Sequence, residues 1–184
     1  MKNKRELIRK VIHFSGLSYL PVYIYFGRDF VLLCVIIIFF IALFLEILRL
    51  KYGFFSSIVR NYEKRKIGAH IYFGIATIFI TSIFPKDTCI SAVTIAILGD
   101  GVAGILKNLS LRALSSISML IVSLIACIVL MNFGVKIIPA SFACVAATLI
   151  ERIEKIGKYY INDNLTVPIT SAFTYELAKY IIQQ

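Results

Sequence analysis

The chain has 184 residues, 59% of them hydrophobic and 16% charged, with 20 Lys and Arg against 10 Asp and Glu. A charged fraction this far below the ~25% of soluble domains excludes an ordinary soluble globular protein, and basic residues that sort by loop instead of gathering on one soluble face exclude a nucleic-acid binder. What is left is an all-α, polytopic membrane bundle, a single helical domain over residues 1–184.

In chain order, the first apolar run, about 11–27, follows a basic start, carries His13 and Pro21, and lacks a small-residue cleavage site. It reads as a retained helix and not as a removed signal. Further runs lie at about 30–50, 67–84, 88–106, 113–131, 137–150 and 165–182. Because about 20 apolar residues cross about 30 Å of hydrocarbon as a helix, the pattern predicts seven crossings, with the first, which carries His13 and Pro21, and the short sixth open to being tilted, broken or partly re-entrant. Of the 20 Lys and Arg, only Arg28, Lys86, Lys136 and Lys179 fall on one side of this alternation, and all the others fall on the side of the N-terminus. The positive-inside rule then predicts a cytoplasmic N-terminus.

The outer turns, 27–29, 85–87 and 132–136, are too short to hold a binding site, whereas the inner loops, about 51–66, 107–112 and 151–164, carry most of the polar residues. Glycosylation sequons at Asn108 and Asn164 fall on the inner side and are discounted. Cys34, Cys89, Cys127 and Cys144 stand singly in apolar runs, without metal-ligand spacing, and read as small core residues.

Ionisable groups at membrane depth cost about 2.5–3.5 kcal/mol each on insertion scales and mark functional sites by default. Glu46 stands one helical turn before Arg49, as a helix-end ion pair or as a support that presents a guanidinium to phosphate. Glu63-Lys64-Arg65-Lys66-Ile67-Gly68-Ala69-His70 runs from an inner loop into the third span, suited to anionic head groups or phosphates. His70 and His13 each need a polar partner inside an apolar helix, for structure or for catalysis. Gly99-Asp100-Gly101 sets a carboxylate between two glycines that allow close approach; Mg²⁺ carrying a nucleotide suits it, since that ion takes one or two carboxylates plus phosphate oxygens. Lys107 lies two turns on, to meet phosphate or to snorkel. Glu151-Arg152 closes the sixth span. Asp163-Asn164 opens the seventh, where Asn162 or Asp163 caps the helix and Pro168 predicts a bent or interrupted start.

The ordered set Arg9-Lys10-x-x-His13, Glu46-x-x-Arg49, Arg65-Lys66-x-Gly68-Ala69, Gly99-Asp100-Gly101-x-Ala103 and Asp163-Asn164-Leu165-Thr166-Val167-Pro168 resembles the CTP-dependent lipid kinases, the family of dolichol kinase, phytol kinase and yeast-type diacylglycerol kinase. The resemblance spans nearly the whole chain. It implies transfer of the terminal phosphate of CTP to the hydroxyl of a long-chain lipid alcohol, with Mg²⁺ as cofactor, by a multi-pass membrane enzyme whose site faces the cytoplasm. On the matching positions, Asp100 and Asp163 would hold the metal and nucleotide, supported by Glu151 and Asn164. Arg65, Lys66 and Lys107 would face phosphates, Gly99 and Gly101 would let the nucleotide approach, and Asp163 or His70 would take the proton of the lipid hydroxyl. One departure stands out: after Gly101 the family carries further glycines and a Glu-Gly-Ser-like stretch, whereas residues 105–116 here read ILKNLSLRALSS. Competing readings are a cytidylyltransferase making a CDP-lipid, a kinase acting on a diacylglycerol-type acceptor, and a small lipid transporter. The expected partners are the lipid alcohol, the nucleotide and membrane lipids; self-assembly stays open.

Overall fold

The computed structural model describes residues 11–54, 66–108, 111–153, 155–156 and 159–184. Among these the fold is helical, with one minimal hairpin. The first helical run, Val11–Tyr52, is 42 residues long and apolar, but it is broken at Gly27 (φ 82°, ψ −176°), backbone that residues with a side chain scarcely adopt. The arms are α1 (residues 11–26, with a 3₁₀ turn at Gly16–Ser18) and α2 (residues 28–52). Gly16 and Phe39, nearly equidistant from Gly27 along the chain, meet the same turn of the next helix: a Cβ on Gly16 would lie 3.9 Å from Phe73, and one on Gly74 would lie 2.7 Å from Phe39. The arms therefore fold back on one another.

Helix α3 (Ala69–Ile83) ends before Pro85, whose ring cannot extend it. The next helix, α4 (residues 86–108), is continuous through Lys86–Thr94, a π-helical turn at Ile95–Gly99, and Asp100–Asn108. Then come α5 (Arg112–Val129), closed by a 3₁₀ turn and by Gly134 at φ 96°, and α6 (Ile137–Glu151). The two-residue strands β1 (Lys155–Ile156) and β2 (Tyr159–Tyr160) pair antiparallel, Lys155 opposite Tyr160. Helix α7 (Asp163–Ile182) completes the bundle.

Among the described residues, three stretches are long and apolar enough to cross a membrane: Val11–Tyr52, Lys86–Lys107 and Leu114–Phe133. Helices α3 and α6 are apolar but only 15 residues long. Large aliphatic side chains face outward in helical rows: Leu114, Ile117, Ile121, Ile125 and Ile128 on α5, and Ile138, Phe142, Val145 and Leu149 on α6. Contiguous apolar rows of that kind suit hydrocarbon as the solvent.

The interior is built from small residues and hydroxyls. Ala92, Ala96, Ala140, Ala143, Ala147 and Ala172 are buried and let helices approach closely. The hydroxyls of Thr77, Thr81, Thr94 and Ser171 bond to the carbonyl four residues back, at 2.6–2.8 Å, so burying them leaves no donor unmet. Helix α4 is central, with Thr88 to Ile97 buried throughout. Cys89, Cys127 and Cys144 are buried thiols, and Cys34 is half-buried.

The bundle end holding Gly27 is closed by ties between helices. Arg28 donates to the Thr81 carbonyl at 2.8 Å and to that of Ser82, and Lys86 reaches the Ile24 carbonyl. Lys179 bridges Asp87 (2.9 Å) and Glu176 (3.3 Å), Thr88 donates to Glu176, and the Tyr175 hydroxyl accepts from the Lys136 amide while donating to Asp87. Three of the four basic residues at this end thus have internal partners that hold helices together.

Candidate functional site

At the opposite end α2 stops, α3 starts, α4 stops, α5 starts, α6 stops and α7 starts. Here the sequence gathers its Lys and Arg, and polar ties join α2 to α3 and join the ends of α4 and α6 to the start of α5.

At the corner between α2 and α3, Glu46 and Arg49 are 3% and 4% exposed. Arg49 grips the carboxylate with both Nε (2.8 Å) and Nη2 (2.7 Å), and Nη2 also donates to the Lys66 carbonyl at 2.6 Å. The Gly68 amide donates to Glu46 Oε1 at 2.6 Å. One ion pair therefore pins the chain entering α3 to the end of α2, and of the two readings of Glu46-x-x-Arg49 the geometry displays the helix-end pair. His70 is 45% exposed, with Nε2 3.7 Å from Glu46 Oε2. Its ring lies over Gly68, where an added Cβ would come within 2.7 Å of it. Lys66 is exposed at the same corner. Arg65, like Arg9, Lys10 and Glu63, lies outside the described residues.

The π turn Ile95–Gly99 ends at Asp100. Widening a helix by one residue per turn disturbs its carbonyl pairing, and such turns recur at functional positions. Here the Ile97 carbonyl is met by His13 Nε2 at 2.9 Å, a contact that ties α1 to α4. The flanking glycines serve the same packing. A Cβ on Gly99 would stand 2.3 Å from Ser123 Oγ and 3.2 Å from Met119 on α5, and one on Gly101 would stand 2.9 Å from the Phe14 ring and 3.2 Å from His13 on α1. The room at Gly99 and Gly101, expected for a phosphate, is filled by the protein's own helices. Asp100 between them is half-buried.

Lys107, expected at a phosphate, and Glu151, expected at a metal, form an ion pair with each other through Glu151 Oε1. The Glu151 side chain is 1% exposed and that of Lys107 34%. Neither Glu151 oxygen has a geometrically sound hydrogen bond, so Oε2 is a buried acceptor without a donor among the described residues. Beside it, Arg152 Nε donates to Ser116 Oγ at 3.0 Å, joining α6 to the start of α5.

At the start of α7, Asn162 is the cap: its Oδ1 accepts from the Asn164 amide at 3.1 Å. Asp163 Oδ1 accepts from the same amide and from Asn164 Nδ2, both at 2.9 Å. Of the bent or interrupted start expected at Pro168, the interruption is absent: the helix runs on from Asp163 through the proline. Pro168 is the sixth residue of α7, beyond the first turn, so its missing N–H deprives the Asn164 carbonyl of its usual helical donor.

The described residues contain no group of three His, Cys, Asp or Glu able to hold a metal unaided. Asp100 and Asp163 stand on different helices at this one end, as oxygen donors of the type a hard cation takes. That composition fits a Mg²⁺ bound by one or two carboxylates and completed by phosphate oxygens, and does not fit an all-protein cage. The clamp of Asp87, Tyr175, Glu176 and Lys179 at the far end is a polar cluster that sequence reasoning missed. Its signal was the Glu176/Lys179 pair one turn apart on α7 together with an acid in the first turn of α4.

No family model matches the sequence, and no solved structure resembles it. The chain is similar to an uncharacterized protein of Rickettsia prowazekii (strain Madrid E), 27% identical over 199 aligned positions that cover 96% of each chain.

Proposed function

We propose that this membrane protein is a CTP-dependent lipid kinase, with seven crossings and a cytoplasmic N-terminus, that moves the terminal phosphate of CTP to the hydroxyl of a long-chain isoprenoid alcohol at the cytoplasmic face. One observation carries this reading: Asp100 and Lys107 in the last turns of α4, Glu151 at the end of α6, and Asp163 and Asn164 at the start of α7, three segments far apart in sequence, all lie toward one end of the bundle. The ordered motifs in the sequence support it independently.

Phosphoryl transfer asks the protein mainly for alignment and charge neutralisation. Asp100 and Asp163 would hold Mg²⁺, which when bound offsets negative charge on the phosphates. Lys66 and Lys107 add positive charge at the same face, and the resemblance gives Arg65 the same role. Asp163 or His70 takes the hydroxyl proton as the lipid oxygen attacks. The outward aliphatic rows of α5 and α6 allow the lipid chain to reach the site sideways while its hydroxyl stays at the polar end.

The test is incubation of purified protein with γ-labelled CTP, with cytidine-labelled CTP and with ATP, against polyprenol, shorter isoprenoid alcohols and diacylglycerol. Gamma label on the isoprenoid alcohol is the expected result. Cytidine label on a lipid phosphate would replace the kinase with a cytidylyltransferase, and label on no lipid would remove the enzymatic reading.

A further inference from the structure

His13 and Asp100 meet at one carbonyl. The Asp100 backbone N–H closes the π turn Ile95–Gly99 by donating to the Ile97 oxygen, and His13 Nε2 lies 2.9 Å from the same oxygen. A carbonyl only accepts, so Nε2 carries the proton. One oxygen thus accepts from a ring on α1 and from the backbone of the acid itself. The rest of that α1 turn grips the same stretch of α4. A Cβ on Gly16 would lie 3.0 Å from Ile97 Cδ1, and one on Gly101 would lie 3.2 Å from His13 Cδ2. The backbone is therefore held on both sides of Asp100, while the Asp100 side chain stays half-buried.

That grip sets a direction. A π turn carries about one residue more than an α turn, and each residue is about 100° of helix, so every side chain after Gly99 is rotated by about that angle relative to an unbroken helix. Without the π turn, Asp100 would face a different neighbour. The His13 bond reaches the middle residue of the turn from another helix and so fixes this rotation from outside.

We infer that His13 is the positioning residue of Asp100: its bond to the Ile97 carbonyl holds the π turn, and the π turn sets the direction from which the carboxylate meets a hard divalent cation. This rests on the reading of Asp100 as a cation ligand and adds the residue through which α1 governs that ligand. The ring acts through the backbone and is not itself a ligand.

The test compares His13→Gln, His13→Leu and Phe14→Leu with the wild type, all as full-length protein in detergent. A Gln amide nitrogen can donate to the carbonyl in place of Nε2, and Leu cannot. Phe14→Leu loosens the same contact between α1 and α4, since the Phe14 ring packs on Gly101, and leaves the His13 bond in place. The readouts are affinity for the Mn²⁺–CTP complex, from the electron paramagnetic resonance spectrum of protein-bound Mn²⁺, together with Tm and KM for the lipid alcohol. His13→Leu is expected to lose at least about tenfold in that affinity, the scale for residues that orient a metal ligand, with an unchanged KM for the lipid. His13→Gln and Phe14→Leu are expected to stay near wild-type affinity, even where Tm falls. Wild-type affinity in His13→Leu, or the same loss in His13→Gln or in Phe14→Leu, would overturn the positioning role and leave the kinase standing. A wild-type protein that binds no Mn²⁺–CTP would overturn Asp100 as a ligand and the inference with it.

Discussion

Breaking the Glu46–Arg49 pair by Glu46→Ala removes the acceptor of three hydrogen bonds at once: two from the guanidinium (2.8 and 2.7 Å) and one from the Gly68 amide (2.6 Å). The guanidinium left behind is 4% exposed and keeps the Lys66 carbonyl as a described neutral acceptor. Removing one partner of a buried pair costs about 3–5 kcal/mol, because the other charge stays uncompensated, and an orphaned buried amide alone costs about 1–3 kcal/mol. The two overlap, since the corner can open and admit water beside the half-exposed His70, so about 3–5 kcal/mol is the expected total. At about 2–4 °C per kcal/mol for a chain of this size, Tm in detergent should fall by about 6–20 °C. The double change Glu46→Met with Arg49→Met should recover more than half of that loss, since it buries no lone charge. The assay is thermal unfolding followed by near-ultraviolet circular dichroism, with the wild type, both single variants and the double variant in the same detergent. A single variant losing less than about 1 kcal/mol, as an exposed ion pair would, would refute the assignment of Arg49 to structure and reopen its reading as a phosphate contact.

Asp100→Asn and Asp163→Asn should each abolish phosphoryl transfer while Tm stays within a few degrees of wild type, since both exchanges keep shape and a hydrogen-bonding oxygen; activity retained in both variants would remove them from the metal and nucleotide. Gly99→Ala should cost about 1–3 kcal/mol through overpacking, because its Cβ would sit 2.3 Å from Ser123 Oγ, and adding Ser123→Gly should restore most of the loss in a double-mutant cycle; no rescue would mean that the α4–α5 contact is not the cause. Ser123→Ala alone should be neutral or stabilising by thermal unfolding, as that hydroxyl is buried with no partner among the described residues, and a loss above about 1 kcal/mol would reveal a bonded water there. Gly27→Ala should cost about 1–3 kcal/mol from backbone strain alone, since a Cβ at that position meets nothing; an unchanged Tm would mean that the reversal between α1 and α2 does not depend on this dihedral.

Much of the fold was legible because its signals are local. Apolar runs at the right lengths marked the helices. The turn at Gly27, the stop before Pro85 and the cap at Asn162 each depend on one or two residues, and the Glu46–Arg49 contact needs only helical spacing. The less legible parts involve partners far apart in sequence. Nothing near Lys107 in the chain names Glu151 as its counter-ion, and nothing near Asp87 names Tyr175, Glu176 or Lys179. At Pro168 the expected interruption is absent, since one lost hydrogen bond does not end a helix held by the packing of Val167, Ser171, Ala172 and Tyr175.

By itself the sequence determined that this chain is a helical membrane bundle and that its basic residues collect at one end, because hydrophobic length and charge distribution act segment by segment. Only the tertiary structure decided what the glycines around Asp100 do. A glycine's sequence announces missing volume and says nothing of what fills it; α5 occupies the gap at Gly99 and α1 that at Gly101.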